Sequence, residues 1–184
     1  VLASGSPRRA RILRSLAVPF HALVTEVDET LAPGEAVEVA AERLARAKAA
    51  AADAALPVLA ADTVVACEGR ILGKPRDAED AAAMLRLLAG RVHQVVTGVC
   101  VRRGARLHSG VERSDVAFEP MSEAEIAWYV ATGEPMDKAG AYHIEGRGAL
   151  FVSSVSGSPS NVAGLPVGLV RRLLREAGVS VGWP

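Results

Sequence analysis

The sequence predicts a mixed α/β fold, a twisted sheet flanked by helices, organised as one domain over residues 1–184. Three observations carry this reading. Segments of strand-like patterning alternate with segments of helical periodicity along the chain. The stretches Val92–Arg103 and Leu107–Phe118 sit back to back around Gly104, which is the pattern of a hairpin, so the sheet is not wholly parallel. Finally, 184 residues that are 50% hydrophobic and 23% charged, with 17 glycines, have the profile of a folded chain with one substantial core or two lobes sharing one.

The elements follow in order. Val1–Ala3 reads as the end of a strand. Ser6 is placed to cap a helix with Pro7 at its first position, where a missing N–H costs nothing. That helix runs to about Leu16, with Ile12, Leu13 and Leu16 on its inner face. Pro19 breaks the chain; Phe20–Val24 reads as a short strand, and Glu26, Asp28 and Glu29 follow in a polar loop. VEVAAERLARAKAAAADAA, residues 37–55, has high helix propensity throughout and ends before Pro57. Val58–Ala66 reads as a core strand interrupted by Asp62 and Thr63, and Glu68–Gly69 as a tight turn into Arg70–Leu72. Asp77 caps a helix to about Leu88, closed at Gly90. Ser122 and Glu125 form a capping box for a helix to about Ala131. The glycine-punctuated stretch 133–148 reads as a functional loop, Leu150–Val155 as a strand, 156–164 as a second polar loop and Pro166–Ala177 as a closing helix.

Charge and composition exclude several classes. Lysine plus arginine equals aspartate plus glutamate at 21 each, so no global field favours a polyanion; nucleic acid is not an expected partner, and any phosphate recognition is local. Cys67 and Cys100 read as buried thiols, too few for a disulfide framework or a zinc cluster. No apolar run approaches the length of about 18 residues that a membrane span needs. Arg8 and Arg9 interrupt the region where a secretory leader would be apolar, so the expected compartment is the cytoplasm.

Chemistry gathers at a few places. In SGSPRR, residues 4–9, a Ser/Gly/Ser turn ahead of a helix presents backbone N–H groups where the helix dipole favours an anion, and Arg8 and Arg9 add guanidinium forks suited to phosphate. The alternative is a solvated basic first turn. Asp62 enters the otherwise apolar run VLAADTVVA, where a carboxylate is costly unless paired, hydrogen-bonded or bound to a metal. It reads either as a magnesium ligand or general base with Glu29 as a second carboxylate, or as a local bracket with Thr63. The chain has only three lysines, any of which could lie at the surface; the loops that hold Lys74 and Lys138 favour that less than the long helix that holds Lys48. There is no GxxxxGK[ST] and no GxGxxG, the four histidines lack ligand spacing, and Ser6 and Ser158 lack a nucleophile-elbow context.

SGSPRR, the ADT of residues 61–63, ILGKP at 71–75, DKAGAY at 137–142 and SNVAGLP at 160–166 together resemble the Maf family of nucleotide pyrophosphatases, in the right order over essentially the whole chain. The resemblance implies an elongated, two-lobed mixed α/β structure with a deep active-site cleft, related to inosine triphosphatases and commonly a homodimer. It implies hydrolysis of a nucleoside triphosphate to the monophosphate and pyrophosphate with a divalent metal, Mg²⁺ first and Mn²⁺ as the substitute. By the same resemblance Arg8, Arg9, Lys48 and Lys74 contact phosphates, with Lys74 counted among the catalytic groups, and Ser6 joins the phosphate-binding turn. Glu29 and Asp62 serve the metal and the attacking water, Asp62 as the base, and Lys138 lines the site.

The base is less settled by these motifs. DKAGAY resembles the branch acting on dTTP, UTP and some modified pyrimidine nucleotides, which continues with glycine, isoleucine, glutamine and glycine. Here His143, Ile144, Glu145 and Gly146 follow. A glutamate at this point resembles the branch that favours 7-methyl-GTP: glutamine donates and accepts, whereas ionised glutamate only accepts, which suits the N–H donors of a guanine edge. The pyrimidine branch matches more motif positions and is the expected one. Glu145 then either reads the base or pairs with His143 or Arg147. A non-catalytic nucleotide-binding regulator of cell division is the alternative from another class, disfavoured by retention of both Glu29 and Asp62.

Overall fold

In the computed structural model of the chain, all residues are described except Pro33 and Pro184. The strands are β1 (Leu2–Ala3), β2 (Val58–Cys67), β3 (Arg70–Leu72), β4 (Val92–Arg103), β5 (Arg106–Phe118) and β6 (Val152–Ser156). They form a six-stranded sheet in the order β1-β2-β4-β5-β6, with β3 paired to β2. β1 and β2 run parallel, with Leu2 opposite Leu59, while β2–β3 and β5–β6 are antiparallel. The sheet is therefore mixed, as the hairpin pattern predicts. The helices are α1 (Pro7–Ser15), α2 (Val37–Ala51), α3 (Ala78–Leu88), α4 (Glu123–Ala131), the single turn α5 (Pro159–Val162) and α6 (Val167–Glu176). The chain folds into two compact units.

The first unit comprises Val1–Asp62, Thr97–Glu112 and Gly164–Pro184. Strand alternation divides its core in two. Leu59, Ala61, Val99 and Val101 face Ala10 and Leu13 of α1 and Leu169, Val170, Leu173 and Leu174 of α6. Val58, Ala60 and Cys100 face the alanines of α2, Ala45 and Ala49. The small residues of α2 let it lie very close to the sheet: a Cβ on Gly98 would stand 2.1 Å from the Ala41 carbonyl oxygen.

The second unit comprises Thr63–Val96 and Arg113–Ala163. Its core joins Val65, Val95, Val116 and Phe118 of the strands to Leu85 and Leu88 of α3 and Ile126 and Tyr129 of α4. Asp77 caps α3 by accepting from Asp80 N, and the Ser122–Glu125 capping box of α4 is complete. Glu68 and Gly69, at φ 49° and 75°, make the tight turn between β2 and β3, a backbone form that glycine adopts without penalty.

Three sequence expectations shift. Phe20–Val24 is not a strand: Leu2 N donates to His21 O and Leu23 N to Leu2 O, a single parallel bridge, because β1 offers only two residues to pair with. Helix α2 ends at Ala51 rather than Ala55. The Arg102 guanidinium takes the carbonyls of Ala49, Ala52 and Ala54, so a tertiary cation satisfies the helix end before propensity runs out. Strand β6 begins at Val152 because Arg147–Phe151 forms a 3-10 turn. Arginine ends other helices in the same way: Arg91 reaches Leu87 O and Ala89 O behind α3, and Arg103 reaches Ala177 O and Gly178 O behind α6.

Candidate active site

Ser6 caps α1 with Pro7 at its first position, and its Oγ accepts from Arg9 N at 3.5 Å. Its own N–H donates to Ser4 Oγ at 3.1 Å, so the SGSP turn is closed on itself. Arg9 is buried: Nε donates to Gly164 O at 2.8 Å and Nη1 to Ser4 Oγ at 3.1 Å. Burial draws its pKa down to about 10, opposed by the charges of Asp62 and Glu29, with Arg8 adding to the lowering. It still carries its proton throughout the physiological range. Arg8 is half-buried on the same helical turn. A desolvated guanidinium beside a second arginine, bonded to the Gly164 carbonyl and the Ser4 hydroxyl, sits in an environment that gains from an anion.

Asp62 is buried within β2 and Lys48 projects from α2 toward it, Nζ to Oδ1 2.5 Å. The same ammonium lies 2.6 Å from Glu29 Oε1, so two carboxylates converge on one cation. Of the readings open for Lys48, a merely surface role is excluded: its side chain is 12% exposed. Asp62 pairs with it rather than standing as a purely local bracket. The exposed Glu29 is brought to Lys48 by a loop that α2 itself holds: Arg43 donates to both oxygens of Glu35 (2.7 and 2.8 Å) and to Thr30 O (3.1 Å). Arg43's hydrogen bonds draw the Glu35 carboxyl down to about 2.

Two carboxylates that already stabilise positive charge at one point suit a divalent cation, whose shell is completed by phosphate oxygens and water. Among the described residues no group of three or more His, Cys, Asp and Glu gathers, so a caged, all-protein metal site is not what this donor set resembles.

The remaining expected residues belong to the second unit. Lys74 is exposed between β3 and Pro75. Lys138 is buried and ion-paired with Asp137. Their loops are stitched together, since Gly140 N donates to Gly73 O at 3.1 Å and Gly140, at φ 72°, presses on Val65. Glu145 is exposed, and its Oε2 lies 3.7 Å from Nε2 of His143, one of the two pairing partners expected from sequence.

Sequence reasoning missed Ser4 and Gly164. Ser4 lies in the stretch already singled out and was legible as a second hydroxyl there. Gly164 acts through its carbonyl from 155 residues away and leaves no local signal.

Fold and site define a mixed α/β protein whose buried arginine and lysine–carboxylate cluster suit a multiply charged anion. Comparison with known proteins narrows that class. A family model described as Maf-like protein matches residues 1–177. A protein named dTTP/UTP pyrophosphatase from Anaeromyxobacter sp. (strain Fw109-5) is 52% identical, covering 100% of this chain and 91% of the relative. Proteins of the same name from Myxococcus xanthus and Deinococcus radiodurans are each 48% identical, covering 100% and 98% of this chain and 94% and 93% of theirs. The chain belongs to the Maf family, and it is an enzyme.

Proposed function

We propose that the protein hydrolyses dTTP and UTP, with modified pyrimidine nucleotides as further substrates, to the monophosphate and pyrophosphate. The observation that carries this reading is the convergence of Glu29 and Asp62 on Lys48, in the same unit as the buried Arg9. The relatives' shared name supports the substrate.

Water attacks the α-phosphorus, the bond from that phosphorus to the α–β bridging oxygen breaks, and pyrophosphate leaves with the bond's electrons. Such a transfer asks for positioning and charge neutralisation more than covalent help. Arg8 and Arg9, with the Ser6 turn, bind phosphate oxygens, and Lys48 adds positive charge in the same unit; Lys74 and Lys138 are the further cations that the family resemblance assigns to the substrate. Asp62 takes the proton that the attacking water loses, at a carboxylate oxygen held in place by Lys48. A divalent cation, Mg²⁺ or Mn²⁺, bound through Glu29 and Asp62 would supply Lewis-acid neutralisation of the phosphates.

The test is pyrophosphate release with Mg²⁺ across dTTP, UTP, CTP, GTP and 7-methyl-GTP, beside Glu145→Gln. Preference for dTTP and UTP upholds the proposal. Preference for 7-methyl-GTP, lost in Glu145→Gln, moves the protein to the alternative for which the carboxylate at Glu145 argues. No release from any nucleotide overturns both.

A further inference from the structure

Helix α4 ends in a turn at Gly133, φ 73°, that delivers Glu134 back under the helix. There the Glu134 carboxylate is almost fully engaged. Oε1 accepts from Tyr129 Oη at 2.8 Å and from Gly148 N at 3.0 Å, and Oε2 accepts from Arg147 N at 3.1 Å. The Tyr129 hydroxyl, on a side chain with no exposed surface, in turn accepts from His143 N at 3.0 Å. Two side chains thus bind three backbone N–H groups spread across 143–148, the segment that carries Glu145.

Shape reinforces the bonds. A Cβ on Gly146 would stand 2.6 Å from Glu134 Oε2 and 2.7 Å from His143 Nδ1. One on Gly148 would stand 2.6 Å from Tyr129 Oη and 2.8 Å from His143 O. The segment wraps the Glu134–Tyr129 pair so closely that a side chain at 148 would strike the His143 backbone and one at 146 would displace the Glu134 carboxylate or the His143 ring. The hydrogen bonds from Tyr129, Arg147 and Gly148 outweigh burial and keep the Glu134 carboxyl below its usual range, so it stays an acceptor at neutral pH. Glu145 lies between the anchored amides of His143 and Arg147, with little freedom left to its backbone.

We infer that Glu134, acting through Tyr129, is a positioning residue for base selection: it fixes segment 143–148 and so sets where Glu145 meets the nucleobase. This rests on the reading that Glu145 faces the base. Glutamine at 134 would bring an NH₂ where a second acceptor is needed, opposite Tyr129 Oη and two backbone N–H groups. Phenylalanine at 129 would remove the link to His143 N while keeping the ring in the core.

The test uses Glu134→Gln and Tyr129→Phe, with Glu134→Asp as the variant that keeps the charge. Amide hydrogen exchange at His143, Arg147 and Gly148 is expected to speed up in the first two while α3 stays protected. The ratio of kcat/KM for dTTP to that for GTP should shift by roughly tenfold, with kcat on the preferred nucleotide nearly unchanged and partial recovery in Glu134→Asp. Unchanged exchange in both variants overturns the positioning role. Faster exchange with an unchanged ratio overturns the link to base selection. If the parent releases no pyrophosphate from any nucleotide, the proposed function has failed; the base-selection link fails with it, and exchange alone still decides the positioning role.

Discussion

The Lys48 ammonium stands 2.5 Å from Asp62 Oδ1, and each side chain is only 12% exposed. A pair this enclosed has been taken out of most of its hydration, so its worth lies in what it prepares rather than in stability. Asp62→Asn keeps the volume and removes the basic oxygen. It is expected to lower kcat/KM for pyrophosphate release by at least about a hundredfold, the range a positioned proton acceptor supplies. Steady-state kinetics on dTTP decides this; a variant within a few-fold of the parent would remove Asp62 from the chemistry.

Lys48→Met tests the cation instead. Without the ammonium, Asp62 and Glu29 face each other with no charge between them, and the apo protein loses stability. A divalent ion then has more repulsion to relieve. Thermal melts with and without Mg²⁺ should show a larger rise in Tm for Lys48→Met than for the parent. An equal or smaller rise would mean that the carboxylates do not hold the ion.

The Arg43–Glu35 clamp should register as a pH dependence. Glu35 titrates at about 2 in the fold against an ordinary value of 4.5, so its contribution is complete above pH 4.5 and drains away as pH falls toward 2. Arg43→Gln, which cannot make the two-pronged contact, is expected to be less stable than the parent at pH 6 and to converge on it by pH 2. Chemical denaturation at a series of pH values would expose a parallel offset, the result that contradicts the clamp.

His93 predicts a second window. It is 1% exposed, its Nε2 lies 2.9 Å from Tyr142 Oη, and its ring meets Phe118 and Tyr142 edge-on. Burial lowers its pKa from 6.5 to about 4. The unfolded chain therefore binds a proton below pH 6.5 that the folded chain refuses until about pH 4. Stability is full above pH 6.5 and declines by roughly 3 kcal/mol across that window. His93→Gln should flatten the decline; an equally steep fall in the variant would assign it to other groups.

Much of this was legible in advance, and what was not had a physical reason. The caps at Ser6, Asp77 and Ser122 are local and read directly from side-chain chemistry. Asp62 was conspicuous because a carboxylate in an apolar strand needs a partner; the partner, Lys48, was not, because helical periodicity says nothing about what lies across from a residue. Where α2 stops is decided by Arg102, some fifty residues later in the chain, and no propensity scale contains that bond. Glu134 passed for one more polar residue in a loop because its partners are backbone amides, which every sequence has.

Gly98 draws these threads to a spot with no chemistry of its own. The Ala41 carbonyl occupies the space a methyl at 98 would need, and Lys48 rides two turns further along the same helix. The height of the ammonium over Asp62 is thus gauged by a hydrogen atom. Any side chain at 98 would push α2 off the sheet and so disturb the reacting groups without touching them. The underside of α2, an alanine spacer, sets one thickness between helix and sheet.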